Sequence, residues 1–292
     1  MKIVQPSVTI ESQDWGKIMR RIETKGRVCY KSEERITDTS ASSFMGSILK
    51  RGHLSVLEHS SISVKFIVDR GVSHEIVRHR IASYSQESTR YCNYGNDDDG
   101  ITVIEPFFFA DRENPIGKCP CWMDAMRQSE KSYLELLRLG ASAQEARSVL
   151  PNSLKTEIWM TANIREWIHF CTLRAAKSAH PQMRQVAIPL LLALQGLLPA
   201  IFDSVAFDTD FPVGHYAEVI CEEDMVTGGP YVGSILARLE KQTQKGMEKY
   251  GATLDQNPLG LSTAQIVEYA LEEVTDLIVY LEKVRTDVSV RS

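Results

Sequence analysis

The chain is organised around one polar stretch, Arg78-His79-Arg80-Ile81-Ala82-Ser83-Tyr84-Ser85-Gln86-Glu87-Ser88-Thr89-Arg90-Tyr91. This stretch carries three arginines, a histidine and four hydroxyl side chains from Ser and Thr, although the formal net charge of the protein is -5. Guanidinium groups present paired donors that match phosphate oxygens. The amphipathic segment 72–77 before it predicts a helix that gives way to a loop near Arg78. The stretch is therefore either a solvated polar loop or an anion-binding one, and the rest of the sequence decides between them.

Length and composition indicate a globular protein with one large domain or one domain and an appendage, because 43% of the 292 residues are hydrophobic and 24% charged. The most apolar segment, 188–202, is too short to span a bilayer, and the N-terminus lacks the apolar core of a signal peptide. Six cysteines without framework spacing fit a reducing compartment. A pI near 5.9 argues against nucleic-acid binding over the whole surface. We expect a cytoplasmic protein without membrane or nucleic-acid partners.

Hydrophobic periodicity predicts an α+β chain without regular βαβ alternation. The predicted strands cover 7–12, 62–68, 101–104 and 154–160, and the predicted helices cover 12–24, 38–50, 122–139, 141–149, 163–173 and 181–202. Gly52 is placed to end the helix over 38–50. Asn163 and Glu166 form a capping-box pattern at the start of the helix over 163–173.

Three arginine-bearing segments, 78–90, around 147 and 165–174, suit an anionic, phosphorylated ligand. The alternative for the last of them is a solvated basic face. Neither the histidines nor the pair Cys119-Pro120-Cys121 has the spacing of a zinc site, so we expect no metal. Ser88 as a nucleophile lacks a local elbow or base partner.

Five motifs in order carry a family resemblance: H-x-S-x-x-E-H at 53–59, R-H-R-x7-S at 78–88, A-R-x-x-L-P at 146–151, N-x-R at 163–165 and L-R at 173–174. Together they resemble the flavin-dependent thymidylate synthases over roughly residues 1–215. The resemblance implies that family's α+β fold, a sheet flanked by helices. It also implies a homotetramer with active sites shared between subunits.

The resemblance assigns roles to residues. It implies that FAD is held by Ser55, Arg78, His79, Arg80, Gln86, Asn163, Arg165 and His169. It implies that deoxyuridylate (dUMP) is held by Glu75, Arg78, Gln86, Glu87, Ser88, Thr89, Arg90, Arg147 and Arg174. Arg174 is the implied catalytic residue, a cation that favours the ionised uracil. Ser88 is implied to bind the substrate rather than to attack it.

The implied reaction converts dUMP to thymidylate. Methylenetetrahydrofolate supplies the carbon, and NADH or NADPH supplies the hydride through FAD. The protein then contributes the positions of the reactants and the electrostatic field around them. A competing hypothesis is a flavin- and nucleotide-binding module that has lost methyl transfer. The chain departs from the family pattern at two positions. Family members often have Asn where this chain has Ser85, and their Q-x-E-I-R run has a carboxylate where this chain has Gln182. We expect both departures to alter packing or ligand tuning.

The sequence predicts a synthase domain over 1–220 and a helical extension over 221–292, with helices over 234–250 and 262–284. The run Glu272-Glu273-Val274-Thr275-Asp276 resembles the E-E-x-x-D run of MazG-like nucleotide pyrophosphohydrolases, which hold magnesium beside a triphosphate. The extension is therefore a pyrophosphohydrolase or a pair of interaction helices. A third hypothesis makes the whole protein primarily a pyrophosphohydrolase.

Overall fold

A computed structural model describes residues 1–96, 100–109 and 117–222 of the protein. Its strands are β1 (Lys2–Val4), β2 (Ser7–Ile10), β3 (Ser61–Asp69), β4 (Ala82–Gln86), β5 (Thr102–Ile104), β6 (Lys155–Asn163) and β7 (Glu218–Cys221). Its α-helices are α1 (Trp15–Val28), α2 (Ser40–Lys50), α3 (Arg70–Ile76), α4 (Lys118–Arg138), α5 (Ala143–Ala146), α6 (Ile164–Arg174), α7 (Pro181–Leu197) and α8 (Pro199–Phe202). Short 3-10 segments cover Glu33–Arg35, Leu54–His59, Arg147–Val149 and Val213–His215.

The main sheet has five strands in the order β4-β6-β3-β2-β7. Its centre is the antiparallel pair of β3 and β6, which runs from Ser61 opposite Asn163 to Asp69 opposite Lys155. β4 pairs antiparallel with β6, whereas β7 pairs parallel with β2. β1 and β5 form a separate parallel pair. The α+β class with helices flanking the sheet is confirmed.

One face of the main sheet is buried because apolar residues alternate along its two central strands. On β3 the fully buried residues include Ile62, Val64 and Phe66, and β6 contributes Ile158 and Met160 to the same core. α6 packs on this face: the rings of Trp167 and Phe170 lie 6.5 Å and 6.0 Å from the ring of Phe66. The indole Nε1 of Trp167 donates to the carbonyl of Ile62 over 3.0 Å, so its polar group is satisfied inside the core.

Within residues 1–96, 100–109 and 117–222, the predicted helices and strands exist, with three differences. Residues 82–86, predicted as loop, form edge strand β4; its outward residues are Ser83 and Ser85, so no apolar alternation marks it in the sequence. The single helix predicted over 181–202 divides at Leu198, because proline at position 199 disfavours a helical residue before it. β1 and β7 were not predicted. Gly52 ends α2 with a φ of 70°, as its position indicates.

The predicted C-terminal helices and the E-E-x-x-D run lie outside the described residues. The division at residue 220 therefore stays a prediction. Within the described ranges, every helix is too short or too polar to cross a membrane.

The packing of α6 on β3 predicts a large stability loss for Phe66→Ala. Phe66 is fully buried between Trp167 and Phe170, so the change removes a ring and leaves a cavity. We expect the free energy of unfolding in urea to fall by about 3–5 kcal/mol. Phe108→Ala is the matched control, because Phe108 is 42% exposed; we expect it to cost about 1 kcal/mol or less. Equal losses for the two variants would contradict this description of the core.

Candidate functional site

Two helices of the site begin directly at the ends of the central strands. Asp69, the last residue of β3, accepts a hydrogen bond from the backbone N of Val72 over 2.7 Å and caps α3. Asn163, the last residue of β6, accepts from the backbone N of Glu166 over 2.9 Å and caps α6. Side-chain caps of this kind satisfy the free N–H groups of a first helical turn. The strand ends therefore determine where both helices start.

Arg174, at the end of α6, meets residues from α3 and from the R-H-R motif. Its guanidinium donates to the Glu75 carboxylate over 2.9 Å and to the Glu75 carbonyl over 3.0 Å. Its Nε donates to Nε2 of His79 over 3.1 Å. These contacts bring Arg174 to Glu75 and His79, which lie 99 and 95 positions earlier in the sequence. The result is a cation with a defined orientation beside one carboxylate and one imidazole.

His79 is held from both ring nitrogens. Its side chain is 2% exposed, and its Nδ1 lies 2.8 Å from Oε1 of Glu166. Because an arginine can only donate, the nitrogen facing Arg174 must accept, and the proton of a neutral imidazole must lie on Nδ1. Burial lowers the pKa of His79 and the nearby Arg174 lowers it further, whereas Glu166 opposes this shift. His79 is therefore neutral at pH 7.

The backbone of the R-H-R motif is fixed by Tyr84 of β4. The Tyr84 hydroxyl donates to the carbonyl of His79 over 2.6 Å and to that of Ile76 over 2.9 Å. Burial, helped by Glu166, raises the pKa of Tyr84 to about 12, so the hydroxyl keeps its proton as a donor. The edge strand thus ties the end of α3 to the motif that follows it.

A second histidine, His169, lies on α6, with its ring centre 5.5 Å from that of His79. The side chains of His79, Glu166 and His169 place possible ligand atoms within 4.8 Å of one another, a grouping that sequence spacing does not reveal. However, both ring nitrogens of His79 are already hydrogen-bonded, one to Glu166 and the other to Arg174. The positive charge of Arg174 would also repel a metal cation at this position. Hydrogen bonding accounts for this cluster without a metal.

The H-x-S-x-x-E-H and N-x-R motifs also meet. Arg165 on α6 donates to Glu58 over 2.6 Å, and the backbone N of Ile164 donates to the carbonyl of Ser60 over 3.0 Å. Ser55 lies exposed on the same 3-10 segment as Glu58. Arg78 and Arg80 flank buried His79 and are both exposed, and neither has an ion pair within the described ranges. These exposed donors suit the oxygens of a diphosphate.

The loop after β4 forms a separate group with Arg147. Arg147 donates to the Thr89 hydroxyl over 3.5 Å, and the backbone N of Arg90 donates to the Ser88 hydroxyl over 3.3 Å. Gln86 uses its amide to donate to Ser73 over 3.0 Å. In the part of the chain that the structure describes, no hydrogen bond or ion pair joins this group to Arg174. In these ranges the hydrogen bonds of the predicted dUMP residues therefore include one set at Arg147 and another at Arg174.

Both carboxylate oxygens of Glu87 contact protein groups. Its carboxylate accepts from the Tyr94 hydroxyl over 2.7 Å and from Nζ of Lys155 over 3.2 Å. The Lys155 ammonium also donates to Glu157 over 2.7 Å, and Lys65 pairs with Glu157 over 2.6 Å. Both lysines lower the pKa of Glu157. A substrate role for Glu87 stays a prediction, since these partners already use both of its oxygens.

These paired charges line an open cavity of about 660 Å³ on the outer face of the sheet. The cavity touches the predicted site residues at Gln86 and Glu87. Its lysines are neutralised by the neighbouring carboxylates, so it offers little attraction for an anion. The exposed arginines therefore suit a phosphorylated ligand better than this cavity does.

Sequence reasoning missed two members of the site. Glu166 was predicted to complete a capping box, but its side chain contacts His79 instead. Tyr84 was not singled out. The sequence signals only the cap of α6 at Asn163. It does not signal the contact between Glu166 and His79, because these residues are far apart in the chain.

Comparisons with known proteins agree with this arrangement of motifs. Residues 13–200 match the profile of the family described as "Thymidylate synthase complementing protein". A flavin-dependent thymidylate synthase of Geobacter sulfurreducens is 36% identical over 183 residues, 60% of this chain and 77% of that protein. One of Mycobacterium sp. (strain JLS) is 36% identical over 203 residues, 62% of this chain and 77% of that protein.

A solved structure shares the fold. It is the UMP/dUMP methylase PolB from Streptomyces cacaoi bound with 5-Br dUMP, with a TM-score of 0.56 and 22% sequence identity. The likeness covers 70% of this chain and 96% of that one. At this level of identity it supports the fold alone.

The departure at Gln182 has a partner in the structure. The Gln182 amide donates to Asp69 over 2.6 Å, and both residues are buried. Burial raises the pKa of Asp69, while the Val72 N–H, His180 and Gln182 oppose the shift. A donor at position 182 therefore stabilises the carboxylate that caps α3.

Gln182→Glu should lower stability in a pH-dependent way. Two buried carboxylates in contact raise the pKa of the pair, and a folded-state pKa above the unfolded value costs stability as pH rises. We expect unfolding free energy to fall by about 1–3 kcal/mol at about pH 7.5, and the loss to shrink near pH 4.5. Urea titrations at both pH values measure this. The control Gln128→Glu changes an exposed residue of α4; a Gln182→Glu loss that stays constant with pH would contradict the pairing.

Proposed function

Because the chain belongs to the family of thymidylate synthase complementing proteins, the flavin-dependent thymidylate synthases, we propose that it reductively methylates dUMP to thymidylate. The proposal rests on one observation above all: Arg174 of the L-R motif contacts both Glu75 of α3 and His79 of the R-H-R motif. A cation of fixed orientation can stabilise negative charge on a ring that it faces. Arg174 would act in this way on the ionised uracil and raise electron density at the carbon to be alkylated.

The exposed donors around His79 fit an FAD cofactor. Arg78, Arg80 and Arg165 offer guanidinium groups for the diphosphate, and Ser55 and Asn163 lie on the adjoining segments. His169 is exposed on α6 beside His79, where an imidazole could contact the edge of a flavin ring. Bound FAD would supply the hydride, with NADPH or NADH as its source and methylenetetrahydrofolate as the carbon donor. The protein's own residues would bind FAD and the substrates and orient them.

The loop after β4 would hold the nucleotide phosphate. Arg90 and Arg147 are exposed cations on either side of Ser88 and Thr89. The Ser88 hydroxyl accepts from a backbone N–H, and no acid or base of the described residues is hydrogen-bonded to it. Ser88 is therefore proposed to bind the substrate and not to attack it. Gln86, Glu87 and Glu75 are proposed as further nucleotide contacts.

We further propose a homotetramer with shared active sites, located in the cytoplasm. The support is the resemblance to the flavin-dependent thymidylate synthases, which implies such an assembly. The division into a synthase domain over 1–220 and a helical extension over 221–292 belongs to the same proposal. Light scattering of the full chain tests the assembly: a monomer would contradict it.

The reaction is tested with the purified full chain. We expect a yellow protein that binds FAD and oxidises NADPH in the presence of dUMP and methylenetetrahydrofolate, with thymidylate as product. A protein unable to take up FAD would contradict the proposal. Flavin binding without turnover would favour the flavin- and nucleotide-binding module instead.

Arg174→Ala should abolish turnover and leave FAD bound. Removing one group that stabilises developing charge costs about 100-fold or more in rate, whereas the proposed FAD contacts lie on other residues. Arg138→Ala is the matched control, because Arg138 is exposed on α4 and pairs only with Glu135 among the described residues. Thymidylate formation and flavin absorbance are measured for both. Turnover of Arg174→Ala within about twofold of the control would refute its role.

A further inference from the structure

Glu166 is a buried carboxylate for which the proposed reaction has no use. Its side chain is 8% exposed on the first turn of α6. The cap of that turn needs only its backbone N–H, which Asn163 accepts. Its side-chain Oε1 is directed instead at Nδ1 of His79, 2.8 Å away. A carboxylate retained in the interior needs a strong partner to offset the loss of water, and here the partner is the imidazole.

The three side chains form one hydrogen-bonded line. Glu166 accepts from Nδ1–H of His79, and Nε2 of His79 accepts from Nε–H of Arg174. Each link fixes the next: a carboxylate cannot donate and a guanidinium cannot accept, so the imidazole has a single tautomer. The line runs from the interior of α6 to the group proposed to face the uracil.

We propose that Glu166 is a positioning residue, which holds His79 as the acceptor that orients Arg174. This inference rests on the proposed function for its effect on turnover. Carboxylates that orient a histidine ring are common behind reactive groups, and their loss costs about 10–100-fold where they orient metal ligands. The role differs from that of Glu75, which contacts Arg174 directly.

The protonation of His79 decides whether the line holds. The titratable and charged groups that face its ring are Glu166, His169 and Arg174 from α6. Glu75 of α3 contacts Arg174. Tyr84 of β4 contacts only its carbonyl. Protonation of Nε2 would turn an acceptor into a donor opposite the Arg174 N–H. The orientation of Arg174 is therefore lost as pH falls through the pKa of His79.

Glu166 has a measurable effect on that protonation. Its hydrogen bond and its charge both raise the pKa of His79, against the lowering by burial and by Arg174. Glu166→Gln removes the charge but keeps a carbonyl that can accept from Nδ1–H, because Arg174 still requires Nε2 to be the acceptor. The pKa of His79 should then fall further. A residue needed only for packing would not move this value.

The test compares Glu166→Gln and Glu166→Ala with Glu135→Gln and Glu135→Ala, which alter an exposed carboxylate of α4. We expect kcat to fall about tenfold or more for Glu166→Ala and less than about threefold for Glu166→Gln, with FAD affinity unchanged. The acid limb of the kcat profile of Glu166→Gln should shift to lower pH. The Glu135 variants should match the wild type in all three.

Nitrogen-15 NMR of histidine in the full chain provides a readout independent of turnover. The His79 signals are assigned by their loss in His79→Asn, and a titration gives the tautomer and the pKa. We expect the Nδ1–H tautomer in the wild type and a lower pKa in Glu166→Gln. An unchanged pKa, or unchanged kcat in Glu166→Ala, would overturn the inference.

Two further outcomes separate the hypotheses. If the wild type forms no thymidylate but the pKa of His79 is still lower in Glu166→Gln than in the wild type, the proposed function is rejected and the Glu166–His79–Arg174 line is retained. Stoichiometric metal that is bound by the wild type and lost in Glu166→Gln would overturn the line in favour of a metal site at His79, Glu166 and His169.

Discussion

The pairing of β3 with β6 is the constraint on which the rest of the structure depends. Nine residues of each strand are in register, and both strands end in a side chain that caps the next helix. A shift of one residue would turn the buried faces of both strands to solvent. It would also move Asp69 and Asn163 away from the starts of α3 and α6. The register of β3 and β6 therefore determines both the positions of the two helices and the geometry of the site.

The site follows from where those helices end. α6 begins at one end of the central strand pair, packs over Phe66 and brings Arg174 to the end of α3. There Glu75 provides the counter-charge and His79 the acceptor. A cation placed between a carboxylate and a neutral imidazole keeps its charge and loses its rotational freedom. Such preorganisation suits stabilisation of charge that develops on a ligand.

Charge is distributed in two ways over the molecule. On the outer face of the sheet, Lys65, Lys155, Glu87 and Glu157 satisfy one another. Around the R-H-R motif, Arg78 and Arg80 remain exposed. A phosphorylated ligand gains more from the second arrangement, because no neighbouring carboxylate has to be displaced. The exposed arginines of the R-H-R motif are thus available to such a ligand.

Hydrophobic periodicity and short motifs are local, so they sufficed to predict most element types of the described residues and the family. Alternation on β3 and β6, the cap at Asn163 and the R-H-R-x7-S spacing are all legible without coordinates. The three-dimensional fold was needed to show that residues 82–86 form an edge strand, since their hydrogen bonds go to β6. It also decided that Glu166 faces His79 and that Gln182 supports Asp69. These contacts join residues about 90 to 110 positions apart, and no local pattern encodes which distant partner a buried polar group will find.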